Sequence, residues 1–407
     1  MKPRIAIAGA GFAGAVLARE LAESGLYKVT VFDEKAHIAG NCHTSRDEKT
    51  GVMVHHYGPH IFNTSRLDVW EYVQRFSKFG AYINRVKAVT KKGMFTLPIN
   101  LLTINQFFGK SFNPAEAKEF VATLGDKTIE EPKSFEDQAL KMLGREVYET
   151  FFYGYTKKQW GVEPSELPAA ILKRLPVRFN YDDNYYNTKY QGIPVDGYTA
   201  IVEKILQHPE IEVKTSTLLS PEAKSEYHHV FWSGPMDGFY DYKLGRLNYR
   251  TLSFERVDAE GDAQGTPVIN YCEESVPYTR IAEHKHFTPW EEHEKTVLFK
   301  EHSAFCKPGD VPYYPMRLDD DKHKLRGYMN LAEKEANVTF IGRLGTYRYL
   351  DMHVVIGESL DLAKACLAEK NQAAWPTFSG LPLEKDDTPT VSLYGSSSGS
   401  SKQAVTV

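Results

Sequence analysis

The chain opens on a short apolar run, Ile5-Ala6-Ile7-Ala8, which reads as a buried strand. Glycines follow at once in Gly9-Ala10-Gly11-Phe12-Ala13-Gly14. From Ala15 to Ser24 the apolar Ala18, Leu21 and Ala22 recur at helical spacing, and Gly25 is placed to stop the helix. Lys28 to Phe32 reads as a second strand, ending at Asp33-Glu34. Far along the chain, Val230-Phe231-Trp232 reads as a strand ending at Gly234-Pro235. Val338-Thr339-Phe340-Ile341 runs into Gly342-Arg343, and Val354 to Leu367 carries the period of an amphipathic helix. In between, Ser134 is an expected N-cap, with Asp137 three residues on as an imperfect capping box. Leu140, Leu143, Val147, Phe151 and Tyr155 then hold helical spacing, and a short helix is expected from Leu167 to near Leu175-Pro176. Tyr249 to Phe254, Val268 to Tyr271 and Thr296 to Phe299 alternate aromatic and β-branched residues, as an antiparallel sheet would.

These elements predict an α/β protein. A Rossmann-like nucleotide-binding domain is split over 1–80, about 190–241 and 316–370, with a helical insert over about 100–185. An antiparallel sheet domain takes about 81–99 and 242–315. Asp386-Asp387 and Ser396-Ser397-Ser398-Gly399-Ser400-Ser401 cannot bury a core, so a disordered tail is expected over 385–407.

The first motif is strand, G-x-G-x-x-G, helix, strand, acid, with the acid about 20 residues past the glycines. Gly9, Gly11 and Gly14 let backbone approach a pyrophosphate, and the helix start at Phe12-Ala13 offers it unpaired N–H groups. Asp33 is the expected acceptor for the adenosine ribose, with Glu34 its neighbour. FAD is favoured over NAD. His37-Ile38-Ala39-Gly40-Asn41 stands where many FAD enzymes carry a Gly-Gly pair, and the late strand and helix place Gly342, Arg343 and a positive helix end near the flavin ring. Ala39 replaces the first glycine of that pair; a negative φ there would make the extra methyl harmless.

Composition removes other classes. The 407 residues carry 49 Lys+Arg against 53 Asp+Glu, a net charge of −4, which is no polybasic nucleic-acid binder. Cys42, Cys272, Cys306 and Cys366 lie far apart with no C-x-x-C, so neither a zinc ribbon nor a disulfide framework is expected. No apolar run reaches the about 18 residues of a membrane span. Met1-Lys2-Pro3-Arg4 and the apolar stretch after it mimic a signal peptide, but the glycine spacing fits a folded βαβ start better. There is no H-E-x-x-H, no G-x-S-x-G and no metal-spaced histidine cluster, so no metal is expected.

Aromatic and basic residues crowd three stretches: Tyr153 to Gly161, Lys173 to Tyr186, and Arg343 to Met352. With Gly58-Pro59-His60-Ile61-Phe62, Leu97-Pro98-Ile99-Asn100-Leu101, Lys158-Gln159-Trp160-Gly161, Arg174-Leu175-Pro176-Val177-Arg178 and Gly342-Arg343-Leu344-Gly345-Thr346-Tyr347-Arg348-Tyr349, the chain resembles the bacterial UDP-galactopyranose mutases over about residues 3–370. The resemblance implies an isomerase that interconverts UDP-galactopyranose and UDP-galactofuranose with no net redox. FAD must be reduced. Flavin N5 attacks the anomeric carbon and expels UDP, the adduct opens to an iminium, and the sugar recloses through another hydroxyl. It also implies an external reductant for the flavin, a homodimer, a cytoplasmic location, no nucleic-acid partner, and service to polysaccharide or lipopolysaccharide synthesis.

Matched residue by residue, Arg174 and Arg280 are the expected diphosphate clamp, whose forked N–H bonds lysine cannot reproduce; Arg174 would ride on a mobile lid. Tyr185, Tyr314 and Tyr349 match diphosphate contacts. Asp351 matches an acidic site residue and proton acceptor, although a capping Asp for the helix after it is as natural. Tyr155 and Phe152 are expected to stack on uracil, with Phe151 in the core or sharing that duty. Trp160, Asn84 and Asn270 match residues near sugar or diphosphate, and Arg250 matches a nearby arginine of equally structural character. His60 is expected beside the flavin with Ile61, and Gly40, Asn41, Tyr349, Asp351 and Met352 complete the cofactor wall. Two rivals stay open: a mutase on a related sugar such as dTDP-fucose or UDP-N-acetylgalactosamine, and an amine-oxidase-like flavin oxidoreductase, which shares the scaffold but has no use for a diphosphate clamp.

Overall fold

The structure, a computed structural model, describes residues 1–169, 177–369 and 374–380. Arg174, the expected helix toward Leu175-Pro176 and the expected tail lie outside the described residues.

Five parallel strands form one sheet in the order Ile211–Lys214, Lys28–Phe32, Arg4–Ala8, His229–Trp232, Val338–Phe340. The opening run is continuously apolar because both of its faces are covered. Ile5 and Ile7 face a core with helices Phe12–Glu23 and Met352–Ala368, while Ala6 and Ala8 face a second core with Trp232, Tyr328 and Phe340. The late segment thus returns to the first sheet. Its helix packs along the first one, where the Ser359 hydroxyl donates to the Ala13 carbonyl at 3.2 Å.

The second sheet has seven strands in the order Tyr314–Pro315, Tyr249–Glu260, Lys295–Phe305, Arg280–Glu283, Val268–Tyr271, Val86–Thr90, Gly93–Leu97. It is antiparallel except that Val268–Tyr271 runs parallel to Val86–Thr90. That hairpin comes from a distant part of the chain, so no tight turn fixes its direction.

Helices Leu101–Phe108, Pro114–Leu124, Phe135–Val147 and Gly154–Trp160 follow the hairpin. Ser134 caps the third of these, with Asp137 reaching back in a complete capping box. The expected single helix through Tyr155 is broken. Gly144 sits at φ +75°, since a Cβ there would lie 2.3 Å from the Leu124 carbonyl oxygen. Tyr148–Tyr153 then forms a π-helical turn, which shifts the register of the aromatic residues after it.

Candidate active site

A cleft of about 360 Å³ opens over the carboxyl ends of Arg4–Ala8, Lys28–Phe32 and His229–Trp232. Its floor is backbone. Gly9 stands at φ +103°, and a Cβ there would lie 2.0 Å from Ser233 Oγ. Gly40 faces Gly11, and a Cβ on Gly40 would come within 3.3 Å of the Gly11 Cα. Gly11, Phe12 and Ala13 bring the helix start to the wall, where its first N–H groups have no intrahelical partner. This is a cradle for a dinucleotide phosphate. Gly14 lies one layer back; a Cβ on it would sit 2.0 Å from the Gly9 carbonyl oxygen, so it lets helix and loop close up.

Asp33 ends its strand at the cleft. Oδ2 accepts the Ala10 N–H at 2.8 Å and Oδ1 the Lys35 N–H at 2.9 Å. The carboxylate therefore shapes the glycine loop, and each oxygen keeps a lone pair for a ligand. Glu34 is exposed at the rim.

Ala39 departs from the expectation of negative φ: it stands at φ +72°, ψ 2°. Its N–H donates to Ala10 and its carbonyl accepts from Cys42, both at 2.9 Å, so the turn is pinned from both sides. The residue is 1% exposed, and the methyl is packed inside a left-handed turn that glycine would occupy without strain.

At one end of the cleft Arg343 forms the boundary. It donates to the carbonyls of Leu350 at 2.8 Å and Tyr313 at 3.1 Å. Its guanidinium lies 5.4 and 5.2 Å from the ring centroids of Tyr314 and Tyr349, which stack on each other at 5.3 Å. Beyond them lies Arg280, whose Nε and Nη2 both donate to Glu301 Oε2, at 2.8 and 2.7 Å. Burial works against this charge, but Glu301, Tyr155 and Tyr314 beside it raise the guanidinium's pKa. Burial, first of all, raises the phenols of Tyr155, Tyr314 and Tyr349, so they remain donors at neutral pH. Buried polar atoms in this region that lack partners include Asn84 Oδ1, Trp160 Nε1 and Arg250 Nη1. Orphans of that kind are what a polar ligand would satisfy.

His60 stands at the seam. It lines the cleft and has Arg343 and Arg280 as charged neighbours. Burial, and beyond it those arginines, push its pKa down to about 4. Its Nδ1 donates to the Gly58 carbonyl at 2.7 Å, so the neutral ring keeps Nε2 as an acceptor.

Of the residues expected at the cofactor, all but Gly14, Ile61, Tyr349 and Asp351 line the cleft. Ile61 is core, and the last two lie on the arginine–tyrosine side. Asp351 precedes the Met352–Ala368 helix, yet its carboxylate makes no capping hydrogen bond; only its carbonyl receives the Val354 and Val355 N–H groups.

Among the residues expected at the substrate, Phe151 and Arg250 each show the structural role that stood as one of their two alternatives. Phe151 is core, packed against Phe95 and Phe107 at 5.3 Å each. Arg250 is 2% exposed; its Nε and Nη2 donate to the carbonyls of Gln159 and Lys158 and to Ser303 Oγ, tying the end of helix Gly154–Trp160 to the sheet, while its Nη1 is buried without a partner. Phe152 is 3% exposed, its ring centroid 6.4 Å from that of Phe151. Asn270 lies opposite Arg280 in strand register, and the Tyr185 N–H donates to the Asn84 carbonyl at 2.8 Å. Glu301 and Tyr186 were not foreseen. Nor were the segments 217–219 and 309–312, which complete the cleft from loops without a motif.

Comparison with known proteins shows the family and the fold. The profile of the UDP-galactopyranose mutase family matches residues 150–349, and that of the NAD(P)-binding Rossmann-like domain matches residues 7–76. A probable UDP-galactopyranose mutase from Klebsiella pneumoniae is 54% identical over 375 residues, covering 92% of this chain and 97% of the relative. A dTDP-fucopyranose mutase from Escherichia coli is 52% identical over 368 residues, covering 89% and 97%. The crystal structure of a reduced UDP-galactopyranose mutase shares the fold at a TM-score of 0.71 and 16% identity, over 92% of this chain and 96% of that one. No helix among the described residues is long and apolar enough to cross a membrane. The chain belongs to the UDP-galactopyranose mutase family.

Proposed function

We propose that this chain interconverts UDP-galactopyranose and UDP-galactofuranose, without net redox, on FAD kept reduced. The observation that carries the reading is Arg280, braced by buried Glu301 among protonated tyrosines, at the end of a glycine-lined cleft. Gly9, Gly11 and Gly40 would hold the pyrophosphate of FAD, Asp33 the ribose, and Met352 with His60 the ring side. Reduced flavin supplies a nucleophile for the anomeric carbon.

The protein's own groups do the rest. Arg280, joined by Arg174 as the family resemblance implies, clamps the diphosphate as it leaves, where its developing charge strengthens forked N–H bonds. Tyr185, Tyr314 and Tyr349 donate to the same oxygens. Tyr155 and Phe152 hold the base. Trp160, Asn84 and Asn270 pair with diphosphate and sugar. Neutral His60 offers an acceptor at the flavin edge, and Asp351, free of capping duty, takes a proton from a sugar hydroxyl. The same reading carries an external reductant, a homodimer and cytoplasmic supply of precursor to polysaccharide or lipopolysaccharide.

A second reading, a mutase on a 6-deoxy sugar carried by dTDP, is favoured by the 52% identical relative named for dTDP-fucopyranose. Chromatography after incubation with UDP-galactofuranose and with dTDP-fucofuranose, each with and without dithionite, separates the two. The first reading expects UDP-galactopyranose only after reduction, at a rate well above that on the dTDP sugar. Conversion of the dTDP sugar alone would replace it.

A further inference from the structure

Tyr186 belongs to no role assigned above, yet its hydroxyl sits among the charges of the site. Asp351 and Arg280 are its charged neighbours, and the Asn84 side chain hydrogen-bonds it. Its ring meets Tyr185 edge-on at 5.5 Å. Its N–H donates to Asn184 Oδ1 at 3.2 Å. The loop is stitched from below by Arg178, which is 8% exposed and donates to the carbonyls of Asp182 and Asn184. The phenol is therefore placed by a rigid loop.

Burial raises its pKa, with Asp351 adding to the effect, so the phenol keeps its proton at neutral pH. Asn84 is 4% exposed and its Oδ1 has no partner. The phenolic donor and the orphan amide acceptor thus stand side by side, with the Asp351 carboxylate as a charged neighbour. A hydroxyl, which donates and accepts at once, satisfies such a set. A methyl satisfies none of it and leaves buried polar groups unpaired.

We infer that Tyr186 is a specificity-determining residue: with Asn84 and Asp351 it reads the exocyclic C6 hydroxyl of the sugar and selects a hydroxylated hexofuranose over its 6-deoxy counterpart. This rests on the mutase reading above. The two relatives of nearly equal identity are named for sugars that differ at this carbon, galactose and 6-deoxygalactose (fucose).

The test keeps the nucleotide constant. Dithionite-reduced wild type and Tyr186→Phe are assayed with UDP-galactofuranose and with UDP-6-deoxygalactofuranose, and the ratio of kcat/KM between the two sugars is read. The expected result is a wild-type preference for the hydroxylated sugar that falls about tenfold in Tyr186→Phe. The fall should come from the hydroxylated substrate, with UDP affinity unchanged. An unchanged ratio overturns the inference, as does an equal loss on both sugars, which would mark a structural tyrosine. If wild type converts UDP-6-deoxygalactofuranose as fast as UDP-galactofuranose, the inference fails while the mutase reading stands. If it converts neither, the mutase reading itself has failed.

Discussion

The glycine cleft and the arginine–tyrosine cluster share a wall at Arg343 and are built on opposite principles. The cleft is made by removing side chains. Gly9, Gly11 and Gly40 bring backbone to a ligand, and an added methyl at Gly9 would strike a neighbour at 2.0 Å. The cluster is made by burying charge. Arg280 is tolerated there because Glu301, 2% exposed, is spent on it. Volume is therefore the sensitive variable in the cleft, and charge pairing in the cluster. Cluster variants should change turnover with the cofactor retained. Cleft variants should change stability or cofactor retention first.

The largest effect is expected at Arg280. Arg280→Ala should lower kcat about 10²- to 10³-fold while purified protein keeps its yellow flavin, read by absorbance and product chromatography. Near wild-type turnover in that variant would break the clamp assignment. Glu301→Gln should weaken UDP binding about tenfold, measured by titration, because the guanidinium loses a charged brace and its aim. An unchanged affinity would make the pair purely structural.

The next effect is pH-dependent and arises at the seam and behind it. Burial first of all lowers the pKa of His60 to about 4 and of His229 and His284 to about 3. Unfolded, each titrates near 6.5. As pH falls from about 6.5 toward 4, the unfolded chain binds protons that the folded chain refuses. Stability from these groups is fully present above about 6.5 and is lost through that window. Thermal midpoints should fall steadily from about pH 7 to about pH 4.5; a flat profile would mean the rings are not held neutral.

The smallest effect belongs to the cleft. Ala39→Gly should stabilise the protein by about 1 kcal/mol, since a left-handed alanine is relieved. That is a rise of about 1 °C in Tm, with turnover unchanged. A fall in Tm would show that the packed methyl outweighs the backbone strain.

The same contrast governs what could be read in the chain. The cleft is local: strand, glycines, helix and Asp33 fall within one βαβ unit, so spacing alone exposes them. Ser134 and Asp137 announce their cap for the same reason. The cluster is assembled from residues as far apart as Asn84 and Asp351, and only resemblance to a family gathers them. Glu301 has no local mark; in a strand of alternating residues it looks like any surface acid. The break at Gly144 was hidden because the close approach that leaves no room for a side chain there comes from Leu124, on another helix. Ala39 shows that a degraded motif can keep its backbone: hydrogen bonds to the Ala10 carbonyl and from the Cys42 N–H hold the turn, and the side chain is carried along.

The central claim is that cleft and cluster act together on one substrate without consuming electrons. It is tested by giving the enzyme one equivalent of dithionite per flavin under anaerobic conditions, adding excess UDP-galactofuranose, and counting product while recording the flavin spectrum. The account predicts many molecules of UDP-galactopyranose per flavin, with the flavin still reduced at the end. One product per flavin with concomitant reoxidation, or none at all, would contradict it.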